Sequence, residues 1–401
     1  MRDVLKLPAY RRLLTAYTVN EFALSVGSLA LAVLVYRRTG SAIGAMAFFL
    51  CAQVGPAPLS PWLVARLDRR LPRLVLPALY LVEAMLFIAL AWFAHRFDLA
   101  AVLALALADG VCALTARSLA RAAAVSVLNP PGLLAEGNVL MNYSFTIMFM
   151  IGPAAAGVVV ARGGTVPALV ATAVLFSVMA ASLAGARTLP VPERDPTPSA
   201  GRLRAALQYA RSQPAIRNLL GLQAVSLAFF TLSLPVEVVF AERTLHAHAS
   251  GYGWLLAAWG AGAIVGSVIY GRWHRLPARV LIGLGTAALC VGFLVMATAD
   301  GLAVAAVGAC ISGLGNGIQA VAARTALQQH VDQHWMAMMM GLNESVAQGA
   351  PGIGILTGGL LAATAGPRAA LAVAGVGAGV VAIASWVVLR PAVLHGTETL
   401  A

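Results

Sequence analysis

The chain has 401 residues, of which 60% are hydrophobic and only 10% charged, with a mean hydropathy of +0.85. So little polar surface excludes a sizeable soluble domain. The formal charge of +12 does not mark a nucleic-acid partner, because the basic residues sit in short breaks between apolar runs and form no basic patch with interleaved aromatics.

In chain order, apolar stretches of bilayer-crossing length are predicted at 13–35, 42–64, 74–94, 99–121, 138–160, 165–186, 216–239, 251–271, 280–299, 302–323, 337–362 and 368–389. Backbone amides in hydrocarbon must be satisfied within their own segment, and these runs lack the alternation of barrel strands. The expected fold is therefore an all-α polytopic membrane protein with twelve transmembrane helices. The first run is of spanning length, follows Arg11-Arg12 and has no small-residue cleavage site after it, so it reads as a retained helix. If that helix enters from the cytoplasm, 20 of the 27 Lys and Arg residues fall in breaks on that side. The opposite side holds Arg37, Arg38, Arg96, Arg162, Arg243 and Arg368. This bias predicts a multi-pass protein of the cytoplasmic (inner) membrane with both termini in the cytoplasm. Cys51, Cys112, Cys290 and Cys310 lie inside spans without paired spacing and read as small packing residues.

An ionisable group within a span costs at least about 2.5–3.5 kcal/mol and usually faces a cavity or a partner. Glu21 lies roughly 12 Å into span one at helical rise, beside Asn20. Glu83 lies in the middle of span three. Asp109 is near the middle of span four. Arg117 lies two turns further along the same helix, where it either snorkels to the cytoplasm or pairs with Glu21 or an anionic substrate. Asn142 and Tyr143 in span five, and Asn316 and Gln319 in span ten, serve either substrate or interhelical hydrogen bonds. Glu237 follows Pro235 near the outer end of span seven. In span eleven Asn343, Glu344 and Gln348 form a polar cluster on nearly one helical face. Glu21, Asp109 and Glu344 are the leading candidates for binding and releasing a proton in a coupling step, the alternative being neutral or charge-paired structural roles.

After the sixth run, Leu189-Pro190-Val191-Pro192-Glu193-Arg194-Asp195-Pro196-Thr197-Pro198 cannot continue a helix. Leu203, Ala206, Leu207, Tyr209 and Ala210, interleaved with Arg202, Arg204 and Arg211, then predict a short amphipathic helix on the cytoplasmic membrane surface. The chain thus divides into a six-helix bundle at 1–187, a linker at 188–213 and a second six-helix bundle at 214–401. The halves echo each other weakly, with Gly152-Pro153 matching Gly349-Ala350-Pro351-Gly352 and Arg121 matching Arg324, as in folds built from internal repeats.

The break after span two, Pro61-Trp62-Leu63-Val64-Ala65-Arg66-Leu67-Asp68-Arg69-Arg70, resembles the loop motif Gly-x-x-x-Asp-Arg-x-Gly-Arg-Arg of the major facilitator superfamily. Arg66, Asp68, Arg69 and Arg70 are accordingly gating-loop candidates. An Asp at the motif's second glycine, the Tyr36-Arg37-Arg38-Thr39-Gly40-Ser41 turn, Gln213-Pro214-Ala215-Ile216-Arg217 and Gly315-Asn316-Gly317 resemble the branch of macrolide-efflux and enterobactin-exporter-like proteins. Gly152-Pro153-Ala154-Ala155-Ala156-Gly157 resembles the superfamily's antiporter motif, although it also reads as a kink with tight packing. Two positions depart from the family: Ala65 replaces the aspartate that helps latch the cytoplasmic side, leaving the latch weakened or supplied by Asp68. Trp335-Met336-Ala337 stands where relatives place Gly-Arg.

The resemblance implies a secondary transporter exporting amphipathic small molecules in exchange for protons, working as a monomer in the lipid bilayer by rocking two pseudo-symmetric bundles. An uptake carrier or facilitator would use the same fold, and a transport-deficient scaffold is the non-transporting alternative. No nucleophile with its base, metal-ligand set or phosphate loop is apparent, so neither an enzyme nor a cofactor is expected. His246 with His248, and His330 with Asp332 and His334, lack a convincing further ligand for a metal.

Overall fold

A computed structural model describes residues 2–39, 47–48, 50–68, 70–184, 189 and 201–389. The described secondary structure is entirely helical. After a one-turn helix at Arg2–Leu5, α1 runs over Pro8–Thr39, and α2 over Pro56–Leu67 follows a π turn at Leu50–Val54. Next come α3 (Pro72–His95), α4 (Leu99–Leu128), α5 (Leu134–Gly163) and α6 (Thr165–Ala184). The linker helix Arg202–Ser212 precedes α7 (Pro214–Val239), α8 (His248–Trp273), α9 (Ala278–Thr298), α10 (Leu302–His330), α11 (Met336–Thr364) and α12 (Pro367–Val388). Among the described residues, eleven helices are long and apolar enough to cross a membrane. The second expected span is carried by the π turn and α2, its first residues, 42–46, lying outside the described residues. Pro190–Pro198 of the linker, with Arg187, Arg194 and Arg390, also lie outside them.

Local chemistry sets the helix ends. Pro72, Pro214 and Pro367 open α3, α7 and α12, where the missing amide hydrogen costs nothing. Asp98 caps α4 by accepting from the Ala100 amide at 2.9 Å. Gly164, at φ 83°, allows the chain to leave α5 and enter α6 at once.

Packing divides the chain into two compact units, one comprising Met1–Leu207 with Asp332–Gly349 and the other Gln208–Val331 with Ala350–Ala401. In the first, α1 packs on α5 and α6, and α3 on α4 and α6. Phe87 stacks on Phe176 with ring centroids 5.6 Å apart. The opening half of α11 lies against α2 in the same unit, with Gly341 beside Val64 and Gly349 beside Ala57. In the second, α10 packs closely on α8 and α9. A Cβ at Gly313 would strike the Trp259 backbone, and one at Gly317 the Ala263 backbone, so the glycines of the Gly315-Asn316-Gly317 region are required by helix contact. Leu232, Phe240, Trp259, Phe293 and Leu371 form this unit's core.

The outward faces are apolar as well. Leu74, Leu81, Met85, Ile88 and Trp92 form an exposed stripe at helical spacing on α3, as do Val373, Val376, Val380, Ile383 and Val387 on α12. Such stripes suit a lipid solvent.

Candidate functional site

Within the first unit, four charged side chains converge from three helices. Tyr17 and Glu21 are one turn apart on α1, and Arg117 and Arg121 one turn apart on α4, so each pair shares a helical face. Glu344 comes from α11. Arg117 lies against Glu21, Nε to Oε1 at 3.0 Å and Nη2 to Oε2 at 3.2 Å. It also reaches Glu344, Nη1 to Oε2 at 3.5 Å. Arg121 lies 3.1 Å from the other Glu344 oxygen and donates to the Tyr17 hydroxyl at 3.0 Å, its guanidinium carbon 5.5 Å from the ring centroid. Glu21, Arg121 and Glu344 are buried, and the Arg117 side chain is 12% exposed.

Two guanidinium cations and two carboxylates sum to zero, which is how charge is tolerated inside a span. The arginines remain cationic at any physiological pH, whereas the carboxylates can take up protons. Protonating Glu21 or Glu344 therefore turns an ion-pair partner into a neutral group and redistributes the arginine contacts. Three buried guanidinium nitrogens, Arg117 Nε, Arg121 Nε and Arg121 Nη1, have no hydrogen-bond acceptor in line, so the set is held more by charge than by directed bonds.

The remaining expected residues lie elsewhere. Asp109 is buried on α4, two turns before Arg117, with its Oδ1 unbonded. Glu83 is fully buried, with neither carboxyl oxygen hydrogen-bonded. Glu237 belongs to the second unit, buried and accepting from Ser233 Oγ at 2.9 Å. Asn20 is buried with its Oδ1 unbonded, Asn142 and Asn343 are buried, and Gln348 is half-buried. Gly152 packs closely against Ser25 of α1, whereas a Cβ at Gly157 would meet nothing within 4 Å. The α5 backbone is helical through Pro153, whose side chain is outside the described residues.

A second cluster surrounds the loop motif. Arg66 is exposed and stacks on Trp62, with its guanidinium carbon 3.4 Å from the ring centroid. Arg70 is exposed, and Arg69 lies outside the described residues. Asp68 is buried and pairs with Arg202 Nε of the linker helix at 2.5 Å. The same guanidinium donates to the His334 carbonyl at 2.7 Å and lies 5.0 Å from the Trp335 ring centroid. Gln333 Nε2 donates to Ser126 Oγ at the end of α4. The linker helix therefore buries Arg202, Ala206 and Ala210 against protein and exposes Arg204, Leu207 and Arg211. Arg202 is buried with Ala206 and Ala210 because it finds a carboxylate, a carbonyl and an aromatic face on one side.

Sequence reasoning treated Arg121 only as the end of a span and Arg202 only as a surface charge. The position of Arg121 one turn beyond Arg117 was the available signal for the first. For Arg202 there was none, since its partners lie more than 130 residues away in sequence.

A helical bundle with lipid-facing apolar stripes and charges buried inside its spans is that of a multi-pass membrane protein. The family model described as Major Facilitator Superfamily matches residues 219–400. The chain resembles multidrug efflux pump Tap of Mycobacterium tuberculosis (strain ATCC 25618 / H37Rv), 29% identical over 295 residues, 71% of this chain and 69% of that protein. Its fold is shared by a bacterial homologue of the iron transporter ferroportin in an outward-facing state, with a TM-score of 0.78, 15% identity and coverage of 94% of this chain and 99% of that one. It is also shared by the human organic anion transporter TETRAN, with a TM-score of 0.71, 15% identity and coverage of 96% and 100%. The Escherichia coli fucose:proton symporter FucP gives a TM-score of 0.70, 14% identity and coverage of 95% and 100%. The family model thus covers most of the second half of the chain, and the similar proteins named here are transporters.

Proposed function

We propose that this protein is a secondary active exporter of amphipathic small molecules, coupled to protons and working by alternating access in the cytoplasmic membrane with both termini inside. The bodies that rock are the six-helix halves 1–187 and 214–401, joined by the linker 188–213. The observation that carries this reading is the shared arginine. Arg117 contacts carboxylates from α1 and α11 together, so α11 can leave α1 and α4 only if the buried charges change partners. A proton arriving at Glu344 or Glu21 allows that exchange without leaving a carboxylate unpaired in a low-dielectric site. Likeness to a multidrug efflux pump supports the outward direction and the amphipathic cargo. Asp109, buried on the same helix as the two arginines, is the third acid assigned to coupling.

Everted vesicles loaded with a fluorescent amphipathic cation and given an imposed pH gradient test the assignment. The protein should move the dye in the direction of export, with flux rising with the gradient. Joint Glu21→Gln and Asp109→Asn substitution should leave membrane insertion normal and abolish gradient-driven flux. Retained flux in that variant removes both residues from the coupling step, and flux indifferent to the gradient removes the proton.

A further inference from the structure

One end of the second unit carries charge without a counter-ion. Arg272, Arg275 and Arg279 lie close together where α8 turns into α9, and among the described residues none of them has an ion-pair partner. No acid is near in the chain, since the sequence has no Asp or Glu between Glu242 and Asp300. Asp300 follows the far end of α9, and Glu237 stands at the end of α7 that leads into the start of α8, so both are at the opposite end of these helices. An apolar face leads to the arginines. Trp254, Val265 and Val268 are exposed on α8, and exposed Arg272 continues the same face one turn after Val268. From Trp254 to Arg272 the helix rises about 27 Å, close to the roughly 30 Å of hydrocarbon in a bilayer, so Arg272 falls at the level of the headgroups. Trp273 and Leu276 are exposed beside it, an aromatic and an aliphatic group at the membrane boundary.

We propose that the turn between α8 and α9 binds one anionic phospholipid, its phosphate held by Arg272, Arg275 and Arg279 and an acyl chain lying along Val268 and Val265. Guanidinium forks match phosphate oxygens in both geometry and charge. A zwitterionic lipid brings a cation of its own to a turn that already has cations in excess, so the site selects a headgroup of net negative charge. A soluble phosphate would meet the arginines and leave the apolar face of α8 uncovered, and that face commits the site to a lipid. The bound headgroup supplies the counter-ion that α8 and α9 lack, joining two helices that repel each other at this end and that both pack on α10. The assignment does not depend on the transport reading above.

Native mass spectrometry of the full-length protein in detergent, titrated with phosphatidylglycerol or with phosphatidylcholine, tests the site. The parent protein should bind one phosphatidylglycerol about tenfold more tightly than the first phosphatidylcholine. Joint substitution of Arg272→Gln, Arg275→Gln and Arg279→Gln should abolish that preference, whereas Arg204→Gln with Arg211→Gln, exposed on the linker helix, should keep it. A phosphatidylglycerol with a photoreactive group in its acyl chain should label the part of α8 that holds Val265 and Val268. Size-exclusion profiles matching the parent establish that the variants are folded, and the labelling, done on the parent protein, decides the question even if the triple variant does not fold. Equal affinity for the two lipids, a preference that survives the triple substitution, or labelling confined to other helices overturns the proposal. Loss of the preference in both sets of variants shows a diffuse attraction to surface arginines and overturns it too. Displacement of the lipid by millimolar inorganic phosphate would assign the turn to a soluble anion instead.

Discussion

Glu344 faces both Arg117 and Arg121, so its removal leaves two buried cations against one carboxylate. Breaking a buried pair on one side costs about 3–5 kcal/mol, far above the cost of losing a solvent-exposed pair. Glu344→Gln should therefore lower the thermal unfolding temperature of the purified protein markedly. Adding Arg121→Gln restores neutrality and should recover part of that loss, giving a favourable coupling energy in a double-mutant cycle. Additive losses in the melting curves would mean that Arg121 and Glu344 are not energetically paired. Glu21, Arg117 and Glu344 were all visible in the sequence as charges inside spans, since hydrocarbon makes such residues conspicuous. That one arginine serves two carboxylates was not visible, because α11 begins more than 200 residues after Arg117 in the chain.

At the level of helices, close backbone approach separates glycines of similar appearance. Gly313 of α10 lies against the Trp259 backbone of α8, where any side chain forces the helices apart, whereas Gly157 of α5 faces open space. Gly313→Leu should prevent accumulation of membrane-inserted protein, read as fluorescence of a C-terminal fusion, and Gly157→Leu should insert as the parent does. Equal yields from the two would show that the α8 and α10 contact tolerates separation. The same contrast bears on the antiporter-like segment: Gly152 packs against Ser25 of α1, so part of that motif serves helix contact. The linker helix was legible as amphipathic, but the burial of Arg202 beside Ala206 and Ala210 was not. Periodicity marks a face as apolar, while a cation joins that face only where distant residues supply a carboxylate, a carbonyl and an aromatic ring.

For the whole molecule, the cation bias between loops predicts topology, and topology can be read directly. Green fluorescent protein joined to either end should fluoresce in the cytoplasm, and alkaline phosphatase inserted between α3 and α4, near Arg96, should be active outside. The opposite result at either site would reverse the orientation proposed for the carrier. The membrane-spanning class, the number and approximate limits of the helices and the candidate acids were all determined by sequence alone. Each follows from the transfer of single segments between water and lipid, a property that a segment carries by itself. Tertiary structure decided which charges pair, which glycines are steric necessities and that Arg202 belongs with Asp68 and Trp335. Those outcomes depend on residues distant in the chain meeting at contact distance, and periodicity and composition hold no record of such meetings.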